Sequence, residues 1–555
     1  MPGDPAPGSL LLNPLALVAD YYENQPEPGN PKQAVSFGTS GHRGRPVDGS
    51  FTESHILAIT QAICEHRRRE NLGGPLFIGM DTHGVSLAAQ RTAIGVLAGN
   101  GVEVRMQTGG GFSPTPVISH AILAWNRAHP EALADGIIIT PSHNPPEDGG
   151  FKYNPPYGGP ADSDLTKTIQ DRANELLLHG NCGVRRLHYR QALRCGTTGE
   201  LDFAAAYIED LGSVIRFALI KESGIRIGVD PLGGASLGFW DRIAVRYGLN
   251  LEVVNRALDP TFGFMTLDHD LKIRMDCSSP FAMRNLVGLR EKYAVAFGND
   301  PDADRHGIVS PEGGLFDPNH FLAIAIHFLD AHRPQWPKAA WVGKTVVSSS
   351  LIDRVVGGIG RTLREVPVGF KWFAKDLFKG TCCFGGEESA GASFLRQDGR
   401  VWTTDKDGLI MGLLAAEITA VSGEDPARYL RRLRDQYGQT WYRRLDGAAG
   451  EKERNLLNRA KPAMVTETSL AGDPVAGCID AVPGEKKPES IGGLKVSTKN
   501  GWFAARPSGT EDIIKLYAES YRSAEHLRQI AQDAAGIVGR LTGNSAFMRA
   551  ELAKM

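Results

Sequence analysis

A chain of 555 residues exceeds what one hydrophobic core usually spans, so three or four domains are expected, each with ample capacity to bury a core. Lys plus Arg number 61 against 63 Asp plus Glu, which leaves no basic field for a nucleic acid and no acidic tail; the Arg67-Arg68-Arg69 run reads as a solvated helix end. The seven cysteines are scattered without C-x-x-C spacing, the Met1-Pro2-Gly3 start carries no basic leader and no apolar run reaches membrane-spanning length, so reduced thiols in a soluble cytoplasmic protein are expected.

Near the amino terminus, glycines frame the polar groups of Phe37 to Gly44, and Arg43 has the reach to contact a phosphate. Three strand–helix–strand units follow. The first predicts strands at Leu76–Asp81, Val102–Met106 and Gly136–Thr140 with a helix over Ser86–Ala98. The second predicts strands at Ile225–Asp230, Leu251–Val254 and Tyr293–Phe297 with a helix over Leu237–Tyr247. The third predicts strands at Trp341–Val346, Leu363–Val366 and Cys382–Phe384 with a helix from Leu351. Each unit ends in a polar motif beyond a late strand, where ligands gather in doubly wound sheets. Proline and glycine punctuation at Gly423–Pro426 and Gly447–Gly450 suggests a linker. Beyond it, strands at Gly493–Ser497, Trp502–Ala505 and Ile513–Ser520 precede a helix capped by Ser523. The expected fold is α/β, with three related mixed α/β domains plus a smaller α+β C-terminal domain around a central cleft. The domains divide at 1–205, 206–321, 322–443 and 444–555.

Ser142 lies between Pro141 and Pro145 where an apolar strand stops, a candidate phosphate carrier. Asp300, Asp302 and Asp304 alternate after another apolar strand; an extended backbone would point all three carboxylates one way, and converging like charges need a cation. Oxygen-only ligands favour magnesium, and Arg305 can pair with a phosphate at the same centre. An EF-hand reading fails, because it wants Gly where Arg305 stands and Glu where Pro311 stands. Glu387, with Ser389 nearby, is a natural acceptor for paired sugar hydroxyls, while Glu388 is expected to be solvated. Arg506, Ser508, Gly509 and Thr510 combine a guanidinium, hydroxyls and a glycine that lets backbone amides approach a dianion.

In this order the four motifs resemble those of the α-D-phosphohexomutase family, most specifically its bacterial branch acting on glucose phosphates, and the resemblance spans nearly the whole chain. It implies four domains around one cleft and an intramolecular phosphotransferase of the isomerase class, interconverting glucose 1-phosphate and glucose 6-phosphate. It implies a phosphoserine at Ser142, one Mg²⁺ per chain held by Ser142, Asp300, Asp302 and Asp304, and glucose 1,6-bisphosphate as activator and intermediate. Substrate would be held by Arg305, Glu387, Ser389, Arg506, Ser508, Gly509 and Thr510, and Arg43, His143, Lys152 and Lys371 would serve the reacting oxygens. An unperturbed lysine is a poor base at neutral pH, so either lysine would need burial or neighbouring cations to lower its pKa. The implied partners are sugar phosphates, with no nucleic acid and no membrane, on a monomer or homodimer. A serine-based metal phosphatase and a silent sugar-phosphate sensor are the competing classes; release of free phosphate distinguishes the former.

Overall fold

The computed structural model describes residues 1–38, 41–484, 487–508, 512–544 and 547–553, whose strands form four sheets. In the first, β1 (His42–Gly44), β2 (Leu76–Met80), β3 (Val104–Gln107), β4 (Asp135–Ile139), β5 (Gly149–Asn154) and β6 (Thr198–Leu201) stand in the order β1-β5-β4-β2-β3-β6. The second contains β7 (Ile227–Asp230), β8 (Leu251–Val253), β9 (Val295–Gly298), β10 (Gly307–Ser310) and β11 (Gly314–Leu315) in the order β11-β10-β9-β7-β8. The third orders β12 (Trp341–Thr345), β13 (Leu363–Val366), β14 (Cys382–Glu387) and β15 (Gly391–Phe394) as β13-β12-β14-β15.

These sheets share one kernel. A first strand (β2, β7 or β12) has two parallel neighbours, and the later of those (β4, β9 or β14) pairs antiparallel with the strand that follows it. Identical order and polarity bear out the repeat inferred from the apolar runs. The kernel strands β2, β4, β7, β9, β12 and β14 are buried throughout, as sheets covered on both faces require. One apolar cluster extends from Ile138 through Val229 and Phe297 to Phe384 and Ile410, so the first three units share a core. The amino-terminal segment also ties units together: Gly3 N donates to Leu267 O at 2.7 Å and Leu267 N to Asp4 O at 2.8 Å, before the chain returns to the first sheet.

The fourth sheet is antiparallel. It orders β16 (Trp441–Ala448), β17 (Ser469–Leu470), β18 (Asp473–Val482), β19 (Glu489–Thr498), β20 (Gly501–Pro507) and β21 (Ile513–Ser520) as β16-β21-β20-β19-β18-β17. The helix Ala524–Thr542 covers it, capped as expected by the Ser523 hydroxyl accepting from His526 N, and buries Leu527, Ile530, Ala531, Ala534, Ile537 and Val538. This unit meets the third through Val346, Val347, Trp502 and Tyr517. There the buried Glu519 accepts from Ser350 N and Trp502 Nε1, both at 2.8 Å, and so caps the helix Leu351–Gly358 from another unit.

Two expectations fail. Gly423–Pro426 is not a linker: Asp425 caps the helix Pro426–Tyr437, which packs on the helix Pro318–His332, and Gly447 lies inside β16. Arg67 is not solvated either. It closes the helix Glu53–Arg69 but turns inward, donates to Gly74 O at 2.6 Å and forms a buried ion pair with Asp135, which also accepts from Tyr153 OH. Removing one partner of such a pair leaves an uncompensated buried charge, so Arg67→Met is expected to destabilise the first unit by about 3–5 kcal/mol. Chemical denaturation followed by circular dichroism, with amide hydrogen exchange reporting on the first unit, measures it, and a loss near zero would place Asp135 in contact with water.

Candidate active site

In all three kernels the functional motif occupies the connection between the third strand and its antiparallel successor. Ser142 lies between β4 and β5, Asp300 to Asp304 between β9 and β10, and Glu387 to Ser389 at the β14–β15 turn. Each connection contains one non-glycine residue in the left-handed region: Ser142 at φ 62°, Ala303 at 54° and Ala390 at 70°. Such conformations persist only where surrounding contacts fix them, and they gather at functional loops. The β5 strand runs so close to the serine loop that a side chain at Gly150 would strike the Thr140 carbonyl.

Ser142 is 1% exposed, and its Oγ donates to Asp300 Oδ2 at 2.7 Å. The expected strand-like alternation of the three aspartates is replaced by a turn: Ala303 N donates to Asp300 O at 2.8 Å, and the reversal makes the carboxylates converge. One oxygen from each lies within 4.8 Å of the others, and all three residues are buried. Asp302 Oδ2 is taken by Lys152 Nζ and Thr115 Oγ1, both at 2.6 Å; Asp304 Oδ2 is taken by Lys152 Nζ and Lys406 Nζ, both at 3.1 Å. Asp302 Oδ1 and Asp304 Oδ1 remain buried with no hydrogen-bond donor among the described residues. Two orphaned carboxylate oxygens beside a third carboxylate are the donor set of a hard divalent cation, so these residues fit magnesium.

The electrostatics agree. Burial, reinforced by Asp302 and Asp304, pushes the Asp300 carboxyl well above its ordinary range. Burial would raise Asp304 as well, but Lys152, Lys406 and Arg305 overcome it and hold Asp304 well below that range. For Lys152, burial opposes the charge and Asp302 and Asp304 outweigh it, so its pKa stands above the ordinary lysine value. Lys152 is therefore an ammonium here, which makes it a donor to phosphate or a proton source rather than a base. Lys371 moves the other way, lowered by burial; its Nζ donates to Ser163 Oγ at 2.8 Å, and it lines the same crevice as Lys152.

His143 Nδ1 is 3.3 Å from Ser142 Oγ, and burial, with Arg305 and Arg43, holds this imidazole neutral. Arg43 donates to Asn144 Oδ1 at 3.2 Å while its buried Nε finds no acceptor among the described residues. Arg305 N donates to Asp300 Oδ1 at 3.0 Å, and its side chain lies beside Asp304 at 3.8 Å. Glu387 accepts from Gly369 N at 2.9 Å, and burial pushes its carboxyl up to about 7. Ser389 is half-buried at the tip of the same turn. Glu388 is half-buried rather than simply solvated: Thr345 Oγ1 donates to it at 2.7 Å.

Arg506 stands on the fourth sheet, in β20, and Ser508 lies just past the end of that strand, where its N donates to Ile513 O at 2.9 Å. The Arg506 Nε donates to Ile491 O at 2.6 Å, and Tyr517 lies in the fields of both Glu388 and Arg506, across the junction of the third and fourth units. Gly509 and Thr510 fall outside the described residues. Sequence reasoning missed Thr115 and Lys406, which reach the aspartates from the first and third units. Lys406 had a readable signal, a charged Asp405-Lys406-Asp407 cluster directly before the apolar helix Gly408–Ser422.

Comparison with known proteins identifies this architecture. Residues 34–178, 205–313 and 317–437 match phosphoglucomutase/phosphomannomutase alpha/beta/alpha domains I, II and III, and 465–537 match the C-terminal domain. A phosphoglucomutase of Komagataeibacter xylinus is 52% identical over 544 residues, which cover 98% of each chain. Phosphoglucomutase 1 of Saccharomyces cerevisiae is 28% identical over 568 residues, 92% of this chain and 93% of that one. The Paramecium phosphoglucomutase pp63/parafusin, solved in an open form, shares the fold with a TM-score of 0.73 at 20% identity, covering 94% of this chain and 97% of that one. With all four domains matched in order and a relative so close along its whole length, the chain belongs to the phosphoglucomutase/phosphomannomutase family.

Proposed function

We propose that this protein is a phosphoglucomutase that interconverts glucose 1-phosphate and glucose 6-phosphate through a phosphoserine at Ser142 and a glucose 1,6-bisphosphate intermediate. The observation that carries this reading is the 2.7 Å contact between the Ser142 hydroxyl and Asp300, beside two aspartate oxygens left without donors. Magnesium bound by Asp300, Asp302 and Asp304 with the Ser142 oxygen would neutralise charge developing on the transferred phosphoryl group.

The chain's own residues supply the rest. Arg506, Ser508, Gly509 and Thr510 hold the phosphate that is not reacting, and Glu387 and Ser389 hold ring hydroxyls. The free 6-hydroxyl of glucose 1-phosphate attacks the phosphoserine: the O6–P bond forms and the bond from phosphorus to the Ser142 oxygen breaks. Lys371, lowered by burial, suits removal of the hydroxyl proton, while the Lys152 ammonium and Arg43 and Arg305 face the charge on the transferring group. Neutral His143, within reach of Ser142 Oγ, suits orientation of the serine oxygen and exchange of its proton. The bisphosphate then turns end for end and returns its other phosphate to Ser142.

Glucose is the favoured sugar because the Glu387-Glu388-Ser389 loop resembles glucose-specific members. The proposed setting is the cytoplasm, as a monomer or homodimer; among the described residues no helix is long and apolar enough to cross a membrane. A coupled assay of glucose 6-phosphate formation, with magnesium and a trace of glucose 1,6-bisphosphate, tests the reading alongside the mannose and glucosamine analogues. Bisphosphate-stimulated conversion of glucose 1-phosphate supports it, and steady release of free phosphate faster than isomerisation overturns it.

Glu387 gives the reaction a pH signature. The ionised carboxylate is the stronger acceptor for two hydroxyl donors, with no proton of its own in the way, and burial places this carboxyl at about 7, so kcat/KM is expected to rise with pH through that value as Glu387 loses its proton. Glu387→Gln should lower kcat/KM and flatten that limb. An unchanged limb in the variant would assign it to another group, such as the substrate phosphate.

A further inference from the structure

The serine loop is fastened at both ends to the residues just after β2. Asp81, fully buried, accepts from Thr140 Oγ1 at 2.6 Å, and that hydroxyl oxygen in turn accepts from Ser142 N at 2.8 Å. His83 Nδ1 lies 2.8 Å from Asp81 Oδ2, and His83 Nε2 lies 3.1 Å from Asn144 O. Both of those partners are obligate acceptors, so both ring nitrogens must donate and the ring is an imidazolium. Burial alone would lower the His83 pKa, and the Asp81 carboxylate reverses it to a value above the ordinary one. The Asp81 carboxylate is itself set by Ser86 Oγ at 2.7 Å and His83 N at 3.0 Å, and the Phe262 ring of the second unit packs on the imidazole at 5.1 Å.

We propose that Asp81 and His83 are positioning residues for phosphoryl transfer: together they clamp the serine loop at Thr140 and Asn144 and hold Ser142 in its left-handed conformation against Asp300. Ser142 pays a conformational cost at φ 62° that only external contacts can sustain, and the described contacts to the Thr140 hydroxyl and the Asn144 carbonyl come from this pair. The third unit has a related contact one residue earlier in the kernel: Thr345, which ends β12 as Met80 ends β2, donates to Glu388 at 2.7 Å. The inference rests on Ser142 being the phosphoryl carrier.

The test compares His83→Leu, His83→Gln and Asp81→Asn with the unaltered protein. Three quantities are read: kcat and KM for glucose 1-phosphate, the rate at which glucose 1,6-bisphosphate phosphorylates Ser142 followed by intact mass, and amide hydrogen exchange over residues 140–146. Misplacing a reacting group by about 1 Å costs roughly 100-fold, so His83→Leu and Asp81→Asn should lower kcat and the phosphorylation rate by about that factor. KM should stay within about twofold, since no sugar or phosphate contact is lost, and exchange in the loop should accelerate at least about tenfold. His83→Gln keeps one donor for Asn144 and should recover part of the loss; it also carries the comparison if His83→Leu does not fold. The clamp is overturned if KM rises in step with the fall in kcat, or if loop exchange is unaltered in the variants. Absence of phosphate transfer to Ser142 in the unaltered protein would instead overturn the functional reading, and the exchange comparison would still judge the clamp.

Discussion

Ser142→Ala is expected to lower turnover by on the order of 10⁴-fold or more, because the methyl group offers no oxygen to carry the phosphoryl group and nothing else in the loop takes its place. The side chain is small and buried, and its one strong partner, Asp300, keeps the Arg305 backbone donor. Glucose 1-phosphate binding, measured by calorimetry, should therefore change little while transfer disappears. Intact mass should show one phosphate on the unaltered protein treated with glucose 1,6-bisphosphate and none on the variant. Near-normal turnover by the alanine variant would remove Ser142 from the role of nucleophile.

Asp300→Asn should be nearly as damaging, by about 10³-fold or more, for a different reason. Asp300 faces both the serine hydroxyl and the other two aspartates, so an amide there weakens the cation site and its hold on the reacting oxygen together. Stability should move in the opposite direction. Without a cation, three buried carboxylates repel one another, and Lys152 and Lys406 bond to Asp302 and Asp304 but not to Asp300. The variant assayed with chelator should therefore melt at or above the melting temperature of the unaltered protein treated identically, and it should gain less than that protein when magnesium is restored. A lower melting temperature in chelator would show that the Asp300 charge is compensated by groups other than a cation.

Much of this site is legible in one dimension because its parts are short contiguous motifs on buried strands. The predicted bounds of β13, β21 and the helix Leu237–Tyr247 match to the residue; the helix stops where Gly248 takes the left-handed conformation. The strands β16 and β18 went unread: both carry mixed exposed and half-buried residues, so alternation between faces is blurred. Arg67 illustrates the opposite failure. A triple-arginine run looks solvated in sequence, and only the tertiary pairing with Asp135 shows that one of the three turns inward. Lys406 and Thr115 lie 102 and 187 residues from Asp304 and Asp302 respectively by their numbering; the charged cluster around Lys406 marks that residue but not its partner, and no local pattern announces Thr115. The turn at Ala303 replaced the predicted extended geometry because three carboxylates can converge on one point only if the backbone reverses.

Ser142 and the carboxylate that receives its hydrogen bond belong to different units, with Thr115 and Lys152 reaching across from the first and Lys406 from the third. Their 2.7 Å contact is thus a gauge of how the units are seated on their common core. A displacement of about 1 Å at that contact is enough to cost roughly 100-fold in rate, and the shared core is what sets it. The map of inactivating substitutions should accordingly be spread through the apolar seams between units rather than confined to the cleft, and a variant silenced in this way would keep every one of its catalytic side chains.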